Sequence, residues 1–336
     1  MTDTSTANPG HEATDLVARI ALAIAPATLP STEILDRARG FAEASISANT
    51  RRAHASDWRD FAAFCSAQGL EALPATPQTV AGYAAALADK AKIATIRRRL
   101  ATISTIHQRA GHESPCANRV VRDILRGIAR ETGLAPARKA AVTLDALRAM
   151  LLAIDGDDVA ARRDRAILLL GFAAALRRSE IAAIRFEDLR YSKRGLLLRI
   201  PRSKTDQLGE GVEIAVPFVP NEALCAARAV RRYIAAAGIT AGPLFRSMDM
   251  QRALGADAIQ GQDVARLVKR LASRARVDGD FSGHSLRAGF ATSAAAAHVS
   301  LDAIARTTRH KSLAVLLTYV RPAQAFDDVA LAAMIA

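Results

Sequence analysis

Four side chains near the C-terminal end of the sequence, His284, Arg287, His310 and Tyr319, have types and an order that suit phosphate chemistry. A guanidinium stays charged and can bind two phosphate oxygens at once. Imidazoles can donate further hydrogen bonds to the phosphate, and a phenol can act as a nucleophile that forms a covalent intermediate. Because His284 precedes Arg287 by three residues, one helical turn would present both to the same centre. The pattern predicts a phosphate site with Tyr319 as the attacking group.

Three residues further upstream could complete such a site. Arg177 offers a second guanidinium, and Glu180 shares a helical face with it if one helix continues through both. Lys204 lies between two predicted strands, Gly195–Ile200 and Gly211–Val216, near the tip of a β-hairpin from which a lysine can reach into a site. Taken singly, each has an ordinary interpretation as well: a local ion pair for the first two, and a solvated hairpin residue for the lysine.

Cleaving a phosphodiester without a metal requires cations that neutralise the charge of the transition state. The seven histidines show no spacing with Cys, Asp or Glu that is typical of a metal site, and no P-loop glycine pattern is present. The sequence therefore predicts a reaction without metal, ATP or another cofactor. Tyr319 alone could be a half-buried aromatic residue and His310 alone a helix cap, so the hypothesis depends on the complete set.

Composition and charge predict a mostly helical protein that binds nucleic acid. Half of the 336 residues are apolar and only 4% are aromatic, which favours helices and suffices for two domains. The formal charge of +13 favours a polyanion, and nucleic acid is the obvious candidate. The longest apolar run, residues 166–176, is too short to span a bilayer and predicts a buried helix. The three cysteines form no CxxC pair, which fits a reducing cytoplasm.

The pattern of helices and breaks predicts four segments and a fold class that is mainly α. Residues 1–30 are expected to be a flexible arm, and residues 31–132 a helical DNA-binding domain. Residues 133–141 contain Gly, Pro and two cations and are expected to be a linker. Residues 142–336 are expected to be an α-rich domain with a small antiparallel β-sheet and a C-terminal helix over residues 323–336.

Basic residues crowd onto one predicted helix of the first domain, Ile93–Arg109, and its approach; further helices are predicted over Thr79–Leu87 and Asn118–Glu131. Three consecutive arginines span about 200° of a helix with roughly 3.6 residues per turn, so they cannot all face a core. They could contact phosphates and guanine edges of DNA, or form an ordinary solvated face. The residues predicted to bind DNA are Lys90, Lys92, Arg97, Arg98, Arg99, Arg109, Arg138, Lys139 and Arg202.

In order and spacing, the candidate catalytic residues resemble the signature of the tyrosine recombinase family, the phage integrases. The resemblance extends over roughly residues 35–336, since the first domain is similar to the helical core-binding domain of that family. Two residues depart from the pattern: Arg309 stands where the family commonly has Gly, and Arg178 replaces the usual aliphatic residue. The motifs that carry the resemblance are Leu176-Arg177-Arg178-Ser179-Glu180, Lys204 in a β-turn, His284-Ser285-Leu286-Arg287, His310 and Tyr319.

The resemblance implies a site-specific DNA recombinase with a core-binding domain and a catalytic domain. Tyr319 would attack the phosphate and form a 3′-phosphotyrosine, while Lys204 would protonate the leaving 5′-hydroxyl. Glu180 would support its neighbours. The residues implied to hold the phosphate are Arg177, His284, Arg287 and His310.

The resemblance also implies a homotetramer on two DNA sites, a cytoplasmic location on nucleoid DNA, and a prokaryotic, phage or plasmid origin. The apolar segment 323–336 would be a helix donated to a neighbouring subunit, with packing on its own domain as the alternative. Two other functions stay open. One is a type IB-like DNA relaxing enzyme that uses the same tyrosine without synapsis, and the other is a catalytically silent DNA-binding accessory protein.

Overall fold

The computed structural model describes residues 31–133, 139–201, 211–249, 251, 253–309, 312, 314 and 316–319. The chain divides into two units, Met1–Pro136 and Ala137–Ala336, and each has its own hydrophobic core. The predicted arm over residues 1–30, the middle of the predicted linker and the predicted helix over residues 323–336 lie outside the described residues.

Helices make up the described part of the first unit, and the predicted ones are confirmed to within two residues. They are connected by short turns, one of which contains a 3-10 turn at Pro115–Ala117. The helices are α1 (Thr32–Ala44), α2 (Ala48–Ala67), α3 (Pro77–Ala86), α4 (Ile93–Arg109) and α5 (Arg119–Thr132).

Side-chain caps define where three of these helices begin. Ser47, Thr76 and Asn118 each accept a hydrogen bond from a backbone N–H in the first turn of α2, α3 and α5. Each such cap stabilises its helix by about 1 kcal/mol.

The core of the first unit is aromatic and aliphatic, and it includes one histidine. Trp58 and Phe61 pack beside the fully buried His107. The His107 Nε2 atom accepts from the Ala75 N–H at 2.8 Å, and its Nδ1 atom donates to the Ile103 carbonyl at 2.8 Å. Burial lowers the pKa of His107, so the ring is neutral and serves packing rather than chemistry.

The second unit is built around one buried helix. The apolar run over residues 166–176 predicts that helix, which ends three residues early at Ala173. None of the described helices is both long and apolar enough to cross a membrane. The helices of this unit are α6 (Leu144–Leu152), α7 (Val159–Ala173), α8 (Arg178–Ala183), α9 (Ala226–Ala237), α10 (Gly261–Arg274), α11 (Ser285–Ala296) and α12 (Leu301–Thr308).

Two small antiparallel sheets complete the second unit, and with them the predicted fold class is confirmed. The sequence predicts only β2 and β3. It misses the other three strands because they are three to five residues long and hold no buried residue. The strands are β1 (Leu189–Ser192), β2 (Gly195–Ile200) and β3 (Val212–Pro217) in one sheet, and β4 (Arg246–Met248) and β5 (Leu254–Ala258) in the other.

Two glycines allow α11 to lie close to α7, to α8 and to the segment that precedes α6. A Cβ atom at Gly289 in α11 would overlap the Val142 carbonyl, and the Val142 N–H donates to the Ser285 carbonyl at 2.9 Å. A Cβ atom at Gly171 in α7 would meet side chains of α8 and α11 at 2.8 Å. These approaches fix the N-terminal part of α11 against α7, α8 and the backbone at Val142.

Candidate active site

A break between α7 and α8 forms one wall of the candidate site. After α7 ends, Ala175 has a left-handed backbone with φ of 47°, and Arg177 caps α8. The Arg177 N–H donates to Glu180 Oε2 at 2.9 Å, and its Nη1 atom donates to Oε1 at 2.6 Å. The predicted pair therefore forms, although across the start of a new helix rather than along a continuous one. Only 12% and 3% of the two side chains are exposed, so water screens the pair little.

Arg287 lies in the first turn of α11 with 6% of its surface exposed. Its Nη1 atom donates to the Ala175 carbonyl at 2.9 Å, whereas its Nη2 atom is buried and has no hydrogen-bond partner among the described residues. Burial, together with the charges of Arg177 and Arg309, lowers the pKa of Arg287 to about 10, and Tyr319 opposes that shift. The guanidinium is thus charged at neutral pH and keeps one donor for a ligand.

Arg309 ends α12 with φ of 55° and ψ of 42°, a left-handed conformation that costs a non-glycine residue on the order of 1–3 kcal/mol. Its side chain is 9% exposed and pairs with Glu180 Oε2 at 2.7 Å. Its Nη1 and Nη2 atoms lie 3.5 and 3.4 Å from the carbonyls of Ala174 and Ala175. Burial lowers the pKa of Arg309. The sequence did not assign Arg309 a role. The one indication in the sequence was an arginine, where the family commonly has glycine, directly before His310.

The arginines that gather after the end of α7 have a charge that suits an anion. The guanidiniums of Arg287 and Arg309 meet the carbonyls of Ala174 and Ala175, which directly follow α7 and carry partial negative charge. The site holds three guanidiniums and one carboxylate: Arg177 and Arg309 pair with Glu180, whereas Arg287 does not. A buried excess of cations is costly until an anion binds. The arrangement therefore suits a phosphate, with the Arg287 Nη2 atom available to bind it.

Tyr319 lies on the helical stretch over residues 316–319 and is half-buried. Its ring packs on a small apolar cluster, as expected for the half-buried aromatic residue that the sequence also allows. Its phenol also opposes the lowering of the pKa of Arg287 that burial causes. The residues of that cluster are Ala291, Ala295, Ile304 and Leu316.

The remaining predicted catalytic residues differ in what the structure describes. His284 directly precedes α11 and is exposed, with its N–H donating to the Ser282 hydroxyl at 3.2 Å. Its backbone is helical, so it shares the first turn with Arg287 as predicted. Lys204 and His310 lie outside the described residues.

The departure at Arg178 has a packing explanation. The residue is exposed, but Cβ atoms at Gly261 and Gly283 would meet its side chain at 3.3 and 2.5 Å, respectively. The methylene stem of Arg178 therefore lies against both glycines and covers the surface that an aliphatic residue would cover.

Two of the arginines predicted to bind DNA are engaged within the first unit. Arg98 pairs with Asp57, and Arg99 pairs with Asp60 while donating to the Tyr83 hydroxyl at 3.0 Å. The Arg99 side chain is only 20% exposed. Arg99 therefore holds α4 to α2 and α3, and its guanidinium is not directed to a ligand.

The other predicted basic residues are scattered. Lys90 and Lys92 are exposed before α4, and Arg109 is partly buried at its end. Lys139 is paired with Asp280 within the second unit. Arg138 and Arg202 lie outside the described residues.

A basic depression on the first unit includes two arginines that the sequence did not single out. Arg97 of α4 lines it together with Arg122, Leu125 and Arg126 of α5. Arg126 pairs with Asp123, whereas Arg97 and Arg122 have no ion pair among the described residues. The available signal was the spacing of Arg122 and Arg126 by four residues, which places both on one face of α5.

Two family profiles match the sequence. "Phage integrase family" matches residues 140–325, and "Phage integrase, N-terminal SAM-like domain" matches residues 41–114. The first contains every described residue of the candidate site, and the second contains the basic helix α4.

Individual proteins resemble the chain over most of its length. An "Integrase/recombinase xerD homolog" of Selenomonas ruminantium is 38% identical over 293 residues, which cover 86% of this chain and 86% of that protein. "Recombinase cre" of Escherichia phage P1 is 27% identical over 287 residues, or 78% of this chain and 81% of that one. A solved lambda integrase tetramer bound to a Holliday junction has a similar fold, with a TM-score of 0.60 and 17% identity over 90% of this chain and 80% of that chain.

Proposed function

The chain belongs to the phage integrase family and is a tyrosine recombinase, and from this premise we propose that it cleaves and rejoins duplex DNA through a covalent 3′-phosphotyrosine. The observation that carries this proposal is the buried group of Arg177, Arg287 and Arg309 around Glu180. Its excess positive charge suits the extra negative charge that a phosphodiester develops in the transition state.

In the proposed cleavage step, the Tyr319 oxygen attacks the scissile phosphorus. A bond forms between phosphorus and the tyrosine oxygen while the bond from phosphorus to the 5′-oxygen breaks. The phenol proton passes to solvent, and Lys204 donates a proton to the leaving 5′-oxygen. Rejoining is the reverse: a 5′-hydroxyl attacks the phosphotyrosine and releases Tyr319.

The other site residues act on the nonbridging oxygens of the phosphate. Arg177 and Arg287 neutralise their charge through charged hydrogen bonds. His284 and His310 donate further hydrogen bonds, and Glu180 holds Arg177 in place. Because guanidiniums carry the charge and the phosphotyrosine keeps the energy of the broken bond, the proposed reaction uses neither metal nor ATP. Cleavage is therefore expected to persist in excess metal chelator.

We further propose that the protein acts as a tetramer on two double-stranded DNA sites. The lambda integrase of similar fold was solved as a tetramer bound to a Holliday junction. The net charge of +13 supports binding to DNA phosphates, and so do the exposed arginines of the basic depression, Arg97, Arg122 and Arg126. In this proposal the segment 323–336 links neighbouring subunits.

Selection from random duplexes, followed by footprinting, identifies the DNA site, and a nicked duplex with that site then tests the nucleophile. The nick lets the cleaved fragment diffuse away, so a covalent adduct accumulates. Wild-type protein is expected to give an adduct on a denaturing gel, whereas Tyr319→Phe is not, because phenylalanine keeps the ring packing but lacks the attacking oxygen. An adduct with Tyr319→Phe, or none with wild type, would contradict the proposal.

A second substrate separates recombination from DNA relaxation. Two linear duplexes that each carry a site are expected to yield new joined products of predictable length. A relaxing enzyme would form the adduct and relax supercoiled plasmid without joining the two duplexes. An accessory protein would bind both without cleaving either.

A further inference from the structure

Arg309 occupies a position that disfavours arginine in three ways. Its backbone is left-handed, the conformation that glycine adopts most readily. Its side chain is 9% exposed, and its Nε atom is buried without a hydrogen-bond partner among the described residues. Arg276 has the same left-handed backbone, with φ of 53°, but is exposed. The cost at Arg309 therefore comes from its side-chain placement as well as its backbone.

The contact that offsets this cost is with Glu180. Arg309 reaches Oε2 at 2.7 Å, and Arg177 reaches Oε1 at 2.6 Å, so one carboxylate is held from both sides. The Nη2 atom of Arg309 also lies 3.4 Å from the Ala175 carbonyl, which accepts from Arg287. Arg309 thus connects to both arginines proposed to bind the phosphate.

The shared carboxylate changes the charge that Arg177 can offer. If Glu180 had Arg177 as its one partner, the pair would be neutral and would attract a phosphate weakly. With Arg309 present, the group of Arg177, Glu180 and Arg309 has a net positive charge. The Glu180 carboxylate is then held in its contact with Arg177. Fixed charge of this kind is most effective where water is excluded.

We propose that Arg309 is a positioning residue, which neutralises Glu180 and holds its carboxylate so that the charged guanidinium of Arg177 faces the scissile phosphate. This inference rests on the proposed DNA cleavage by Tyr319. It assigns Arg309 no contact with the DNA.

Single-turnover cleavage of the nicked duplex at saturating protein separates the chemical step from DNA binding. Arg309→Gly is expected to lower the cleavage rate constant on the order of ten- to a hundredfold, because misplaced charge weakens transition-state stabilisation. DNA affinity is expected to stay near that of wild type, since contacts to other phosphates dominate it. Arg309→Lys keeps the charge and is expected to recover part of the rate. Arg276→Gly, the same change at an exposed left-handed arginine, is the matched control and should cleave like wild type.

Two further measurements distinguish positioning of charge from support of the fold. A scissile methylphosphonate lacks the negative charge, so the loss caused by Arg309→Gly should be smaller on that duplex than on the phosphate. A purely structural role would give the same loss on both. In addition, the double variant Arg309→Gly with Glu180→Gln should be no slower than Arg309→Gly alone, because glutamine no longer cancels the charge of Arg177.

The outcomes separate this inference from the proposed function. No adduct with wild type overturns both. An adduct with wild type and an equal rate for Arg309→Gly overturns the inference alone, as does an equal loss on the two substrates. If thermal unfolding shows that Arg309→Gly does not fold, Arg309→Asn replaces it, since asparagine tolerates the left-handed backbone and carries no charge.

Discussion

The guanidinium of Arg287 divides its donors between the protein and a ligand. The Nη1 atom is held by the Ala175 carbonyl, and the planar fork then fixes where the buried Nη2 atom points. A lysine ammonium is a point charge on a flexible stem and has no such fork. Positive charge alone is therefore insufficient at this position.

Arg287→Lys is expected to lower the single-turnover cleavage rate constant by about 10²–10³-fold, comparable to loss of one preorganised donor to a developing charge. Cleavage of the nicked duplex at saturating protein measures it. Arg178→Lys, near the same site, keeps the methylene stem that lies on Gly283 and should cleave like wild type. A wild-type rate for Arg287→Lys would show that the fork is not needed.

Residue types and their order predict the candidate catalytic groups, because phosphate chemistry restricts the useful side chains. The partner of Arg309 could not be predicted in the same way. Glu180 is 129 positions away in the sequence, and the tertiary fold brings the two side chains together. Sequence reasoning also does not predict a left-handed backbone at an arginine, because glycine adopts that conformation most readily.

At the scale of secondary structure, apolar periodicity and caps predict the helices of the first unit well. They do not predict the break between α7 and α8, because residues 173–176 are three alanines and a leucine, all strong helix formers. Guanidiniums from α11 and the end of α12 bind the carbonyls there and stabilise the break. Tertiary contacts thus override local preference at the point where the site forms.

The close approach of α11 is expected to tolerate no added methyl group. Gly289→Ala would push against the Val142 backbone and should reduce the free energy of unfolding by about 1–3 kcal/mol, the usual cost of overpacking. Thermal unfolding measures the effect. Gly127→Ala in α5 is the control, because a Cβ atom there meets nothing within 4 Å, and it should stabilise by roughly 0.5–1 kcal/mol. A melting temperature for Gly289→Ala at or above that of wild type would contradict the assigned contact.

For the whole molecule, the net charge of +13 favours DNA binding mainly through those basic side chains that are not paired with a carboxylate. Arg98, Arg99 and Lys139 are paired with carboxylates inside their own units. Arg97 and Arg122 line the same depression and have no such pairing among the described residues. They are the better candidates for phosphate contacts.

Arg97→Ala and Arg122→Ala should each weaken DNA binding by a similar factor for all sequences and reduce the salt slope of log K by about 1. Binding titrations at several salt concentrations measure both quantities. Arg39→Ala removes an equal charge from α1, where the arginine is paired with Asp36, and is the control for net charge. If Arg39→Ala changed the slope as much, the effect would belong to overall charge and not to the depression.

Deletion of residues 323–336 tests the proposed link between subunits. The shortened protein should bind a single DNA site with wild-type affinity, because the proposed phosphate contacts remain. It should form no complex that joins two sites, since the segment proposed to link the subunits is gone. Native gels with one-site and two-site duplexes measure both properties, and unchanged pairing of two sites would refute the donation.

The carbonyl of Ala175 accepts from Arg287 at 2.9 Å and lies 3.4 Å from the Nη2 atom of Arg309, while Arg177 follows two residues later. The Ala175 peptide group thus joins two guanidiniums from distant parts of the sequence, two residues before Arg177. We expect the guanidiniums of Arg287 and Arg309 to move together with this peptide, so that the distance between them varies less than their positions do. Tolerance to thermal motion is therefore a property of the shared attachment rather than of any one arginine.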